Sequence, residues 1–366
     1  MIHFVVPKAH DRGIHEYLAH WGVELAPQVR VVHNESLPTA SQMARGTYVL
    51  AAMDQYSPGM ATYVSALHAA VASEPGVRFL NTPGRTLQRF ELLRQLHALG
   101  RNVFRAARVT EDLTRLRYPV FVRDSQTHDG ALSPLLHSPS EVEAAIGRAL
   151  VQGRSANNLM VVEFCDTSDA SGYFRKYSAF IVGPHILPRY LSWSREWMLK
   201  FRGSEFTPRM AEEELEYLTT NPHEAELRSV FQLAGVEYGR IDYAMKDGAM
   251  QVWEINLNPT IGRGTRESSG RVPADVAEIR ERGKHQFYRA FLDAWRDVDV
   301  GSENAAAIVP ALDPGIVRGA LAGADGESGW LSAIKRVLRP AKPIIAPIVD
   351  RALPVIGRAA MRRTRG

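Results

Sequence analysis

Tyr238-Gly-Arg-Ile-Asp-Tyr-Ala-Met-Lys-Asp-Gly-Ala-Met-Gln-Val-Trp-Glu-Ile-Asn-Leu-Asn-Pro259 is the densest chemical stretch in the chain. Two β-rich runs, Tyr238 to Met245 and Met250 to Asn256, flank Asp247-Gly248, so the segment predicts an antiparallel hairpin. Side chains alternate along a strand, and the register across a turn decides which of them meet. An odd-numbered loop centred on Gly248, such as Asp247 to Ala249, pairs Lys246 with Met250. Asp242 then lies opposite Glu254 and Arg240 opposite Asn256, with all four side chains on one face. A two-residue Asp-Gly turn would instead put the two carboxylates on opposite faces. Two carboxylates and an amide oxygen on one face suit Mg²⁺, which takes hard oxygen ligands and leaves positions for water and phosphate. Arg240 beside them suits a phosphate or a developing oxyanion. The plainer reading of the same residues is a solvated hairpin face.

Working outward, the first 80 residues alternate strands and helices. Ile2 to Val6, Val29 to His33, Thr47 to Ala52 and Phe79 to Asn81 read as strands, with helical character near His15 to Trp21 and Ala61 to Ala72. That alternation predicts a small open parallel sheet. Leu87, Phe90, Leu93, Leu96 and Leu99 mark a helix over Thr86 to Leu99, stopped by Gly100. Pro119-Val-Phe-Val122 reads as a buried strand running into the polar loop Arg123 to Gly130, followed by a helix over Ser140 to Val151 with Ser138 or Ser140 as its cap. Leu159 to Phe164 is another apolar strand. Tyr173 to Val182 and His185 to Leu191 form a strand pair around Gly183-Pro184, and Ala211 to Leu218 and Glu224 to Ala234 are helical.

In this order the residues resemble the ATP-grasp family of carboxylate–amine ligases, such as D-alanine:D-alanine ligase and glutathione synthetase. Arg-x-Asp, a short turn and Glu-Ile-Asn-x-Asn-Pro look like the family's closing motif, and the likeness spans roughly Met1 to Gly270. It implies an α+β fold: an α/β, Rossmann-like domain over 1–82, then an ATP-grasp domain over 83–295 whose two lobes, 83–164 and 165–295, clamp ATP. It implies that Asp242, Glu254 and Asn256 hold one or two Mg²⁺ ions and that Arg240 is catalytic. Pro119 to Arg123 resembles the strand that reaches the phosphates, and Ser125 to Gly130 the loop that closes over them, with Ser125 and His128 as candidate ligands. Val161-Val-Glu-Phe-Cys165 resembles the hinge that reads adenine, so Glu163, Phe164 and Cys165 would line its pocket and Asp166 would meet the ribose. The segment Arg175 to Arg189 resembles the paired strands that carry a basic residue to the triphosphate. Arg175 and Arg189 are favoured there, ahead of Lys176 and Lys200. Arg263 and Arg266, with Arg271, fall where the family lines its substrate pocket and suggest an anionic substrate. One departure is that arginines, Arg89 and Arg123, stand where the family usually has phosphate-binding lysines, replacing a point charge by a planar fork.

The implied reaction joins a carboxylate to an amine through an acyl phosphate, releasing ADP and phosphate. Two alternatives remain: a kinase acting on a polyanionic small molecule, and a non-catalytic nucleotide-binding protein. The resemblance also makes a homodimer an expectation. The single cysteine, Cys165, rules out an internal disulfide framework and reads as a small buried hydrophobe. The net charge of +4 hides an asymmetry. Residues 330–366 hold nine Lys/Arg and one acid, so the other 329 residues carry −4, and the basic balance is no argument for nucleic-acid binding. That tail mixes aliphatic pairs with four prolines, which argues against one long helix and suits peripheral contact with a membrane or protein. Residues 296–329, rich in Ala, Gly and Pro, read as a linker. No signal-peptide pattern opens the sequence and no apolar run approaches the ~18 residues of a membrane span. The expectation is a cytoplasmic chain, with the inner face of a membrane as the tail's alternative site.

Overall fold

The computed structural model describes residues 1–127, 130–198, 207–262, 273–301 and 306–324. They fall into two compact units. One comprises Met1–Leu87, Asp169–Ala244 and the described residues from Trp253 onward; the other comprises the described residues of Gln88–Ser168 and Met245–Val252.

The first unit opens with the expected parallel sheet. Strands β1 (Ile2–Val6), β2 (Val29–His33), β3 (Gly46–Leu50) and β4 (Val77–Leu80) lie in the order β2-β1-β3-β4. Helices α1 (Arg12–His20) and α2 (Pro58–Val71) connect them. Every residue of β1 and β3 is buried, as parallel strands covered on both faces require. Val5, Tyr48 and Leu50 pack against Met60, Tyr63 and Leu67 of α2. Phe4 and Val49 face the other way.

The antiparallel sheet of this unit has the order β11-β10-β8-β9, from β8 (Phe174–Val182), β9 (His185–Ser194), β10 (Tyr238–Lys246) and β11 (Ala249–Asn256). Helices α5 (Pro208–Thr220) and α6 (Glu224–Ala234) follow β9; α5 lays Tyr217 against Leu191 and Trp193. On the opposite face lies α7 (Ala274–Val298), a 25-residue helix that the sequence reading passed over. Its stripe Phe287, Phe291 and Trp295 was visible at four-residue spacing. Phe180 of β8 meets Phe291 edge-on at 5.1 Å, and Tyr238 of β10 lies 5.4 Å from Trp295 and 5.5 Å from Phe4. The parallel sheet therefore owns no separate core on this side. It shares one with β8, β10 and α7, which is why residues 1–82 do not divide from the later segments as expected.

Asn81 brackets the junction. It is fully buried with φ 66°, a left-handed conformation that asparagine tolerates. Its Nδ2 donates to the carbonyls of Leu50 and Tyr238, and its Oδ1 accepts from the N–H groups of Glu237 and Tyr238.

The expected linker departs from its reading. Ile308 bridges Met43, and α8 (Pro314–Ala324) packs on α2 through Ile316, Val317 and Ala320. The small residues that suggested a loose segment permit close approach: a methyl on Gly59 would collide with the Gly319 carbonyl.

The second unit is built on a three-stranded antiparallel sheet, β5-β7-β6, from β5 (Ala106–Arg108), β6 (Val120–Asp124) and β7 (Leu159–Glu163). Helix α3 (Arg89–Ala98) precedes it, and α4 (Pro139–Val151) covers Val120, Val122 and Val161 with Val142 and Ile146. Ser138, of the two candidates, caps α4 by accepting from the Glu141 N–H. The hairpin tip belongs to this unit. Asn102 exchanges two hydrogen bonds with the Val252 backbone, and the Gln251 side chain accepts from the Val103 N–H.

Asn81→Ala strands four buried backbone groups. An unfolding cost of about 3 kcal/mol is expected, since each buried unsatisfied group costs about 1–3 kcal/mol and partial rearrangement recovers some of it. Urea titration should show a lower midpoint with an unchanged slope; a loss under about 1 kcal/mol would mean the bracket is dispensable.

Candidate active site

Strand alternation places Arg240 and Asp242 on one face of β10, the face on which Tyr238 packs to α7. In register, Asp242 lies opposite Ser178 of β8, two residues from Lys176 on the same face. Asp242 is only 5% exposed. Its Oδ1 accepts from the Ser178 hydroxyl at 2.9 Å, the Tyr190 hydroxyl at 3.4 Å and Arg240 Nε at 3.2 Å. Its Oδ2 lies 3.5 Å from Lys176 Nζ. Tyr190 of β9 stands between the cations, with Arg240 5.5 Å and Lys176 5.6 Å from its ring centre.

Burial disfavours charge on Lys176 and Arg240, but Asp242 first, then Tyr190 and Glu254, outweigh it and hold both groups above their ordinary range. Glu254 thus acts on the same two cations as Asp242. Two carboxylates and two cations make the cluster nearly neutral, so it needs no counterion to exist.

The turn differs from the expected three-residue loop. Strand β10 ends at Lys246 and β11 begins at Ala249. Asp247 and Gly248 have φ 51° and 78°, the two left-handed residues of a tight hairpin turn. Strict alternation across that turn would set Trp253, rather than Glu254, opposite Asp242. Both Trp253 and Glu254 are part-exposed on this edge strand. Glu254 joins the cluster electrostatically, its charge helping to hold both Arg240 and Lys176 above their ordinary range. Asn256 is 8% exposed, and its Oδ1 accepts from the Asn258 N–H at 2.9 Å, bending the chain into Pro259. The amide oxygen keeps a second lone pair. The donor set (two carboxylates and an amide oxygen, all hard) fits Mg²⁺ in kind.

Other expected residues take different places. Arg175, favoured from sequence, points to the opposite face and pairs with Asp169 and with Glu213 of α5. Lys176 is the basic residue brought to Asp242, because neighbours on a strand cannot share a face. Arg189 stacks on Phe287 and Tyr288 of α7 and donates to the Tyr288 hydroxyl and the Ile261 carbonyl. Arg240 also reaches the Thr260 carbonyl at 3.4 Å. The chain leaving the hairpin is thereby held by two arginines, and a side chain at Gly262 would collide with the Tyr288 hydroxyl.

In the second unit, Arg89 is buried, not the solvent-facing helix residue that its position on α3 also allowed. Its Nη1 donates to the carbonyls of Asp124, Ser125 and Thr127, clamping the loop after β6. Arg123 lies on the β6 face opposite Val120 and Val122, and Ser125 accepts from Arg108 at 3.4 Å. The Glu163 carboxylate is locked by Arg117 and by the N–H groups of Arg105 and Arg117. Burial opposes its charge, yet Arg117 prevails and holds the carboxyl below its usual range. The N–H groups of Glu163 and Phe164 are bonded to the carbonyls of Arg105 and Pro119. Asp166 accepts from the Ser168 hydroxyl and N–H, and its carbonyl accepts from Lys246. Cys165 is buried, and that burial pushes its thiol up to about 11. His128, Lys200, Arg263, Arg266 and Arg271 lie outside the described residues.

Sequence reasoning missed Ser178, Tyr190 and Tyr288. Ser178 carried a signal, its two-residue spacing from Lys176. Tyr190 did not, because a bulge between Ser178 and Ala179 sets its register. Among the described residues, no helix is long and apolar enough to cross a membrane.

No family model and no curated protein matches the chain. Among solved structures, it is similar to D-alanine–D-alanine ligase from Bacillus anthracis complexed with ATP, at 12% identity and a TM-score of 0.44 over 81% of this chain and 97% of that one. A further structure of that ligase gives 13% identity and a TM-score of 0.43, over 81% and 99% of the two chains. An L-amino acid ligase from Bacillus licheniformis gives 12% and 0.36, over 70% and 66%. Likenesses of this size carry no argument, and the case for function rests on the chain's own residues.

With its thiol at about 11, Cys165 should alkylate slowly, the rate rising about tenfold per pH unit from pH 7 to pH 10 without a plateau, as the small thiolate fraction does. Mass-spectrometric iodoacetamide kinetics on the native protein would show this. A rate that levels off by about pH 9.5 would mean an exposed, ordinary thiol.

Proposed function

We propose that the chain is an ATP- and Mg²⁺-dependent carboxylate–amine ligase of the ATP-grasp kind. One observation supports this above the others: Arg240, Asp242 and Lys176 meet on one sheet face, with Glu254 acting on both cations, inside the Arg-x-Asp…Glu-Ile-Asn-x-Asn-Pro stretch.

In this reading Asp242, Glu254 and Asn256 hold Mg²⁺, which when bound supplies charge neutralisation at the phosphates. The chain's residues do the positioning. Ser178 and Tyr190 fix the Asp242 carboxylate, so that its other oxygen faces the ligand. Lys176 and Arg240, on the same face as Asp242, would turn their donors to phosphate oxygens. A substrate carboxylate oxygen attacks the γ-phosphorus and ADP leaves; an amine then attacks the acyl carbon, phosphate leaves, and the nitrogen loses a proton. Most of the acceleration comes from orientation and fixed positive charge. A solvated hairpin face would not bury a carboxylate to 5% exposure beneath two cations and two hydroxyls.

The test is ADP release from Mg-ATP with a panel of carboxylic acids, with and without amines. Turnover should require an amine and stop with EDTA. Glu254→Gln should lower kcat about 100-fold or more, and Lys176→Met about 10²-fold. Arg175→Met, on the other face, should stay within about threefold, as a surface ion pair contributes little. A stable phosphorylated product without amine would replace the ligase by the kinase. Absence of turnover across the panel, or full activity of Glu254→Gln, would end both readings.

A further inference from the structure

The α2-covered face of the parallel sheet carries a second feature, which the hairpin chemistry does not use. A cavity of about 380 Å³ lies there, bounded by His3, Arg30, Leu37, Met43, Tyr48 and Tyr63 among others. Its size falls within the range of small-molecule sites. His3 and Arg30 are in-register partners on β1 and β2, and parallel partners present their side chains to the same face. His3 stacks on Tyr48 at 4.5 Å and an interplanar angle of 20°. The hydroxyls of Tyr48 and Tyr63 are already engaged, donating to the carbonyls of Ala44 and Leu37. What those rings offer the cavity is apolar surface.

Charge selects the ligand. Among the described residues, no Asp or Glu lines the cavity. His33, which does, has its own carboxylate in Asp11 at 2.9 Å. Burial first, then the nearby amino terminus and Arg30, hold His3 below its usual range, so at neutral pH it offers a ring and not a second charge. Arg30 is different. Among the described residues it makes no hydrogen bond or ion pair, although its charge reaches His3 and Tyr48. A guanidinium is a planar fork that matches a carboxylate in two parallel hydrogen bonds. An unpaired fork beside an acid-free, aromatic-walled cavity is complementary to an anion with an apolar body.

We propose that this cavity binds a small organic acid, its carboxylate on Arg30 and its apolar body against the His3–Tyr48 stack. The site stands apart from the ligase reading, since none of its residues belongs to the hairpin cluster.

Phenylacetate is a suitable probe and 2-phenylethylamine its cationic counterpart, both titrated into the full chain by calorimetry at neutral pH. Phenylacetate should bind and the amine should not. Arg30 is exposed, so Arg30→Gln should melt like the parent while weakening phenylacetate at least tenfold; tenfold corresponds to about 1.4 kcal/mol. Arg30→Lys, keeping charge but losing the fork, should fall between the two. Lys176→Met should leave phenylacetate binding intact, which separates this cavity from any carboxylate site at the hairpin. The proposal is overturned by equal binding to the parent and Arg30→Gln, by an amine that binds as tightly as the acid, or by loss of binding in Lys176→Met alone. It is also overturned if the parent shows no binding at about 10 mM phenylacetate, weaker than any specific site of this kind.

Discussion

Removing a carboxylate from water costs several kcal/mol unless charges and hydrogen bonds replace the lost hydration. Asp242 sits under that constraint, and much of the surrounding architecture answers it. Ser178 supplies a hydroxyl because β8 pairs with β10 in the register that sets the two side by side. Tyr190 supplies another because β9 is offset by a bulge. Arg240 and Lys176 supply charge from the same face, and Glu254 shares them. Breaking one partner would strand the others.

The register that makes this cluster is set well away from it. Phe4, Phe180, Tyr238, Phe291 and Trp295 form one aromatic core under the same face. Tyr238 is anchored at one end of β10, and Asp242 lies four residues along, on the same side. Asn81 ties the chain just before Tyr238 to β3 through backbone bonds. The parallel sheet shares this core, and so acts as a wall that fixes the strand carrying Arg240 and Asp242. Helix α7 completes the wall and, through Tyr288 and Arg189, holds the chain at Ile261.

Much of the fold was legible in the sequence. The four parallel strands, the helix behind Leu93 and Leu96, and the two strands around Asp247-Gly248 were all carried by local periodicity and turn chemistry. Helix α7 was legible too, in Phe287, Phe291 and Trp295, but its polar, basic exterior masked the stripe. The 306–324 segment was misread because Ala and Gly signal looseness in isolation, whereas here they allow α8 to approach α2 closely. At the site, choosing Arg175 over Lys176 needed knowledge of which β8 face α5 covers, and no local pattern contains that. Arg89 was expected at a phosphate because only its charge was visible; the three carbonyls it clamps come from a loop about 35 residues later.

The sequence by itself determined the chemical inventory. It placed Arg240, Asp242, Glu254 and Asn256 on a two-stranded hairpin, since β-propensity and an Asp-Gly turn are short-range properties. It also determined the alternation of strand and helix that predicts the parallel sheet. Tertiary structure decided which of those groups meet. It set a two-residue turn where a three-residue loop was expected, brought Lys176 rather than Arg175 to Asp242, and added Ser178 and Tyr190. Among the described residues, it also left the Arg30 side chain without a partner beside the cavity. The physical reason is range: propensity acts over a few residues, whereas the burial and partners of a charge depend on faces and registers joined by residues a hundred or more positions apart.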